Sequence, residues 1–85
     1  MKKKTSRELF GVIGLGRFGF ALAETLAKSG KEVLVVDKYE QKIKDASVFT
    51  DNAFTVETLS KETLQEVGIQ NCDTVIVCVG EKIDT

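Results

Sequence analysis

A glycine motif between two apolar segments constrains this chain more than any other feature. Residues 9–13 form a short apolar run, and the motif GLGRFG at 14–19 follows it directly. An amphipathic helical pattern begins within the motif, and the next apolar run ends at an acidic residue, Asp37. A strand, a glycine turn and a helix in this order, followed by an acid at the end of the second strand, predict a dinucleotide-binding turn.

Each glycine of the motif has a separate physical role in such a turn. Gly14 permits the tight turn that leaves the strand, and Gly16 lets the backbone approach a pyrophosphate. Gly19 lets the helix pack closely on the strand. The start of the helix directs N–H groups and the positive end of its dipole toward an anion.

The remaining apolar patterns alternate between strand and helix. Gly30 ends the first helical pattern, Ser60 is a plausible N-cap, and Gly68 suits a left-handed C-terminal position. We therefore expect an α/β fold, a Rossmann-like doubly wound parallel sheet with strand order 3-2-1-4. The predicted strands are 9–13, 33–36, about 53–56 and 74–79, and the predicted helices begin near residues 17, 39 and 61.

Composition excludes several other classes of protein. The 12 basic and 13 acidic residues leave a net charge of −1, which does not favour nucleic acid as a partner. No apolar run approaches the ~18 residues of a membrane span, so we expect no direct membrane insertion. The chain has no histidine and two separated cysteines, Cys72 and Cys78, which favours a reducing cytoplasm over a metal site.

The sequence stops five residues after Gly80, where a helix covering the fourth strand would begin. A doubly wound sheet needs that cover. We therefore expect residues 1–85 to be one nucleotide-binding domain, truncated at its C-terminal side. It would be a fragment of a longer regulatory protein or would bury the uncovered apolar face against another copy.

Two charged residues beside the motif each allow two interpretations. Asp37 could accept hydrogen bonds from both hydroxyls of an adenine ribose, or it could cap the second helix in a box with Glu40. In the first case it would disfavour a 2′-phosphate, an effect that Lys38 would soften. Arg17 could clamp a phosphate, or its long side chain could extend into water.

Other candidates lie on the same predicted edge of the sheet. Glu57 and Thr58 follow the third strand, where they would approach the base or ribose or form a simple polar turn. Gly80 would admit the nucleotide or start the next turn. Phe18 is expected mainly in the core, with its backbone N–H still able to face phosphate.

With these residues the chain resembles the nucleotide-binding KTN domain, also called the N-terminal RCK or TrkA-N domain. This domain belongs to the cytoplasmic regulatory subunits of Trk and Ktr potassium-uptake systems. The resemblance covers most of the chain between Phe10 and Gly80. The segments that carry it are GLGRFG at 14–19, EVLVVD at 32–37, VGIQNCD at 67–73 and VIVCVG at 75–80.

The resemblance implies that the three motif glycines and Arg17 contact phosphate and that Asp37 holds the ribose. Glu57 occupies the position where the family usually has an aspartate near the adenosine. The family commonly continues there with Ala-Thr, whereas this chain has Thr58-Leu59. Family members bind ATP, ADP or NAD(H), and the sequence does not indicate which of these nucleotides this chain prefers. They assemble as dimers and rings on a membrane-embedded potassium-translocating subunit. They also carry a C-terminal domain.

Three functions follow as expectations. The first is a nucleotide-sensing regulatory subunit, not an enzyme, located in the cytoplasm and held at the inner face of the membrane through its partner. The alternative is the cofactor-binding half of an NAD-dependent dehydrogenase, whose catalytic groups would lie in another domain, because no catalytic set is evident in this chain. A third is an oligomerisation domain with a degenerate site.

Overall fold

Four parallel strands form one sheet in the order β3-β2-β1-β4, and helices connect them. The computed structural model describes residues 8–78 of the chain. This topology confirms the expected Rossmann-like α/β fold and strand order. The elements are β1 (Leu9–Ile13), α1 (Arg17–Lys28), β2 (Glu32–Asp37), α2 (Glu40–Ala46), β3 (Asn52–Thr55), α3 (Lys61–Glu66), a 3-10 turn (Ile69–Asn71) and β4 (Thr74–Val77).

The two central strands are apolar because helices cover both of their faces. Val12 of β1 lies beside Val35 of β2, and neither is accessible to solvent. One face packs against α1 and α2, where Ala23 and Ile43 are buried. The opposite face packs against α3 and the 3-10 turn. The glycine turn therefore leaves the middle of the sheet, at its carboxyl edge.

Helix α1 has the predicted extent, but its buried face differs from the expected one. Phe18 was expected in the core and is 63% exposed. Gly19 and Ala23 are the buried residues of this helix. Small residues face the sheet because α1 lies close to the turn that precedes it, and this close approach leaves no space for a phenyl ring.

The predicted ends of α3 are confirmed. The Ser60 hydroxyl accepts a hydrogen bond from the Thr63 amide at 3.1 Å, which is the geometry of an N-cap. Gly68 has a φ of 93°, the left-handed conformation expected after the helix. In α2, Ile43 and Ala46 are buried and face the core.

The apolar pattern of β4 is typical of a strand buried on both faces, but one of its faces is exposed. Val75 is 42% exposed and Val77 61% exposed, whereas Cys78 is buried in the core on the α1 side. Val75 pairs with Gly11 of β1. It lies on the same face of the sheet as the β2 residues that α3 covers. Among residues 8–78, no helix follows β4 to extend that cover. Within the same range, no helix has the length and apolar character needed to cross a membrane.

Candidate functional site

The glycine turn between β1 and α1 has the conformation that its first glycine was expected to provide. Gly14 has a φ of 97°, in the region that side chains rarely adopt, and it is buried. Its amide donates a hydrogen bond to the Val36 carbonyl at 2.8 Å. The turn is therefore attached to β2 at its first residue.

Helix α1 begins at the turn with a positive end suited to an anion. Gly16 is the N-cap residue and provides no side chain to cap the helix, and the first turn contains no acidic residue. The first N–H groups of a helix have no partner within the helix, and its dipole favours negative charge there. Arg17 is the first helical residue and is exposed, so a cation stands at this positive end. A bound anion would turn an unfavourable charge–dipole contact into a favourable arrangement.

Asp37 is the last residue of β2 and is only 7% exposed. Its Oδ2 accepts a hydrogen bond from the Leu15 amide at 2.5 Å, and its Oδ1 accepts one from the Tyr39 amide at 2.8 Å. A carboxylate has about four lone-pair positions, so each oxygen keeps capacity for a further donor such as a ribose hydroxyl. The ribose contact itself stays a prediction.

The alternative role for Asp37, a capping box with Glu40, is not formed in the expected way. The N-cap residue of α2 is Tyr39, which makes no capping bond through its side chain. Asp37 instead accepts the amide of Tyr39, two residues later, in the pattern of an Asx turn. One oxygen of the carboxylate thus serves the start of α2 and the other serves the glycine turn.

The other predicted site residues lie along the same carboxyl edge. Lys38, Glu57 and Thr58 are exposed. Thr55 of β3 pairs with Asp37, and the Val56 amide donates to the Asp37 carbonyl at 3.0 Å, so Glu57 follows directly from a residue attached to Asp37. Gly80 lies outside the described residues.

A cavity of about 320 Å³ opens beside the glycine turn, between α1 and α2. Its charged lining residues are Arg17, Glu24, Lys42 and Asp45. These are two cations and two anions, so the side chains of the lining add no net charge that would favour a phosphate. The lining also includes Gly16, the N-cap of α1, so the helix start is the feature of this cavity that favours an anion.

Sequence reasoning missed two groups at this site, the backbone amides of Leu15 and Tyr39. Both are donors to Asp37, and Leu15 is only 1% exposed. An aspartate two residues before the N-cap of a helix is a recognisable Asx-turn signal, and here it indicates the bond with Tyr39. The contact with Leu15 joins residues 22 positions apart, so no local pattern indicates it.

Comparison with known proteins identifies the family of this chain. Residues 10–85 match the family model of the TrkA-N domain. The chain is 37% identical over 81 residues to the Ktr system potassium uptake protein A of Vibrio alginolyticus, covering 95% of this chain and 37% of that protein. Against Ktr system potassium uptake proteins C and A of Bacillus subtilis strain 168, it is 36% and 38% identical over 74 residues, or 87% of this chain.

The chain spans about a third of the length of these relatives, 33–37% of each. The TrkA-N match, in contrast, includes the glycine turn, Asp37 and, apart from Leu9 at the start of β1, the four strands. The chain therefore belongs to the TrkA-N domain family.

Proposed function

We propose that this protein is a nucleotide-sensing regulatory component of a potassium uptake system. It binds NAD(H) or ATP/ADP at the carboxyl edge of its sheet and thereby controls a membrane-embedded potassium-translocating partner. It acts in the cytoplasm, at the inner face of the membrane, as a homodimer or larger ring. It performs no catalysis of its own.

One observation carries the proposal: a glycine turn of left-handed geometry leads into the uncapped start of α1, beside the carboxylate of Asp37. The helix start favours phosphate, and the carboxylate favours neutral hydroxyl donors. A ligand with phosphates at one end and a ribose diol next to them matches both groups. Adenine nucleotides have this chemistry.

The relatives support the transport part of the proposal. Those compared above are named as potassium uptake proteins of Ktr systems, and nucleotide binding is a general property of the TrkA-N domain. Such a system requires a subunit that spans the membrane, whereas α1, the longest helix within residues 8–78, has 12 residues. The translocating subunit is thus a separate partner in this proposal.

Regulation requires the nucleotide to bind two arrangements of the assembly with different affinities. A ligand that shifts an equilibrium from 1:99 to 99:1 must favour one state about 10⁴-fold. The glycine turn, the end of β2 and the start of α2 are joined at the site through Asp37. A ligand at this point contacts several elements whose arrangement it can bias.

Binding is tested by calorimetric titration of the purified protein with ATP, ADP, NAD and NADH. We expect saturable binding of at least one of them, and at least fivefold weaker binding by Arg17→Gln. Lys28→Gln is the matched control, because it removes a cation from the other end of the same helix. The losses there are an exposed ion pair with Glu24 and a contact with the helix dipole, neither of which lies at the nucleotide site. If none of the four nucleotides binds saturably, the proposal is rejected.

Regulation is tested with the full-length protein and its membrane subunit in vesicles. We expect the bound nucleotide to change the rate of potassium flux. Arg17→Gln should shift this response to higher nucleotide concentrations, and Lys28→Gln should leave it in place. A flux that depends on the protein but not on any of the four nucleotides would refute the sensing role and retain only a structural one.

A further inference from the structure

We propose that Asp37 is also a positioning residue, whose carboxylate holds the glycine turn in the shape that binds phosphate. This inference rests on the proposed function, because it concerns the same site. It differs from the ribose role in that it predicts an effect on ligands that have no ribose.

The burial of Asp37 is the first observation. Among residues 8–78, Asp37 is the charged residue that is buried, with 7% of its surface exposed. Both of its carboxylate oxygens accept hydrogen bonds from backbone amides. A charge removed from water is costly unless hydrogen bonds compensate for it. The Leu15 and Tyr39 amides supply that compensation, and in return the carboxylate fixes their positions.

The location of Leu15 is the second observation. Leu15 lies between Gly14 and Gly16, so its amide belongs to the turn that would surround the phosphates. Gly14 is joined to β2 through the Val36 carbonyl, and the next amide, that of Leu15, is joined to β2 through the Asp37 side chain. Two successive amides of the turn are thus attached to the end of one strand. The second attachment depends on a side chain and can be removed by substitution.

Electrostatics and positioning predict opposite results for loss of this charge. A carboxylate near bound phosphate repels it, so electrostatics alone predicts tighter phosphate binding when Asp37 is neutralised. Loss of the fixed turn predicts weaker binding, because the amides must be ordered at the time of binding. The direction of the change therefore separates the two effects.

The experiment compares Asp37→Asn with Asp51→Asn. Asparagine keeps one carbonyl oxygen but presents NH₂ in place of the other oxygen, so one of the two amides loses its acceptor. Asp51 is exposed and precedes β3, at the opposite edge of the sheet, which makes it a control of identical chemistry. The probe is inorganic tripolyphosphate, which has phosphates and no ribose. We expect calorimetric affinity for tripolyphosphate to fall at least fivefold in Asp37→Asn and to change less than twofold in Asp51→Asn.

Equal or tighter binding of tripolyphosphate by Asp37→Asn would overturn the positioning role. If the wild-type protein binds nucleotides in that case, the proposed function stands without it. If the wild-type protein binds neither nucleotides nor tripolyphosphate, the proposed function fails, and amide exchange in the ligand-free protein decides the positioning role alone.

Hydrogen exchange of the Leu15 amide is that second measurement. We expect slow exchange in the wild-type protein and at least tenfold faster exchange in Asp37→Asn, with no equal change at Val35 in the middle of β2. General destabilisation would accelerate both amides, whereas loss of the local attachment accelerates Leu15 alone. If Asp37→Asn does not fold, the wild-type protein decides: a Leu15 amide that exchanges as fast as that of exposed Lys38 would overturn the inference.

Discussion

The α-carbon of Gly19 in α1 faces the carbonyl oxygen of Gly14 so closely that a Cβ atom at Gly19 would lie less than 3.0 Å from that oxygen. It would also lie 3.1 Å from the Cβ of Cys78 in the core. The obstacle at Gly14 is backbone, which cannot move aside as the end of a side chain can. The third glycine of the motif thus sets the distance between α1 and the turn.

We therefore predict that Gly19→Ala destabilises the protein by about 2 kcal/mol, the range of an overpacked core, although alanine favours helix more than glycine does. Gly30→Ala is the matched control, because a methyl group at Gly30 would point into open space. The backbone there has a φ of 90°, which is unfavourable for alanine. Its cost should be about 1 kcal/mol and arise from the backbone alone. Urea denaturation measures both, and equal stability of Gly19→Ala and wild type would contradict the close packing.

For Asp37→Ala we predict more than tenfold weaker binding of adenine nucleotides. Tenfold corresponds to ~1.4 kcal/mol, and a single hydrogen bond to a charged group contributes about 1.5–3 kcal/mol. Isothermal titration calorimetry measures the change, with Asp51→Ala as the control at the opposite edge. Unchanged affinity would reject the ribose role of Asp37.

Discrimination between NADH and NADPH should follow from the same carboxylate. The 2′-phosphate of NADPH would lie beside Asp37, so we predict at least tenfold tighter binding of NADH. Lys38 is exposed next to Asp37 and reduces this repulsion, so Lys38→Ala should increase the ratio further. Competition titrations with both dinucleotides give the ratio, and a ratio of one would show that Asp37 does not face the 2′ position.

A fourth prediction concerns Gly11 in the middle of β1. A Cβ atom there would lie 2.8 Å from both the Sγ of Cys72 and the Cδ1 of Ile69. Gly11→Ala should therefore destabilise the protein by about 1–2 kcal/mol. Cys72→Ala removes the sulfur, so the double variant should lose less than the sum of the single losses, with a coupling of at least about 0.5 kcal/mol. Additive losses in urea denaturation would show that the two residues do not compete for one space.

The Cys72 thiol should also react slowly with alkylating reagents. Burial, with the neighbouring Asp73 carboxylate, raises the pKa of this thiol above its ordinary value. The thiolate is the reactive form, so at pH 8 its fraction is smaller than in a free cysteine, and the rate should rise as the pH increases. Iodoacetamide labelling followed by mass spectrometry measures the rate, and labelling at the rate of a free thiol at pH 8 would contradict this environment.

Hydrophobic pattern and turn chemistry were sufficient to predict the sheet. The β1 and β2 runs, the Ser60 cap and the glycine conformations at 14 and 68 are local properties, and each was confirmed. The exposed Phe18 was not predicted, because helical spacing alone does not show which of two faces can approach the sheet. An uncovered face at the fourth strand was expected, but which of its residues lie on that face, Val75 among them, depends on how distant segments pack.

The sequence predicted which residues form the candidate site, but it did not predict the hydrogen bonds between them. The glycines and Asp37 lie where the motif places them, at one edge of the sheet. The hydrogen bond between Asp37 and Leu15 joins segments separated by a whole helix, so the sequence contains no spacing that indicates it. Gly11 had a readable signal, since an isolated glycine inside a strand often marks a close approach, but its partners follow only from the fold.

The space left by Gly11 has a consequence for the path of the chain. Ile69 and Cys72, which lead into β4, lie where a side chain of β1 would otherwise stand. The hydrogen bonds of Asp73 with both backbone groups of Leu9 then align β4 with β1. The segment that leads into β4 can therefore pack directly on β1 because Gly11 has no side chain. This packing, with the Asp73–Leu9 hydrogen bonds, fixes the register of β4 against β1.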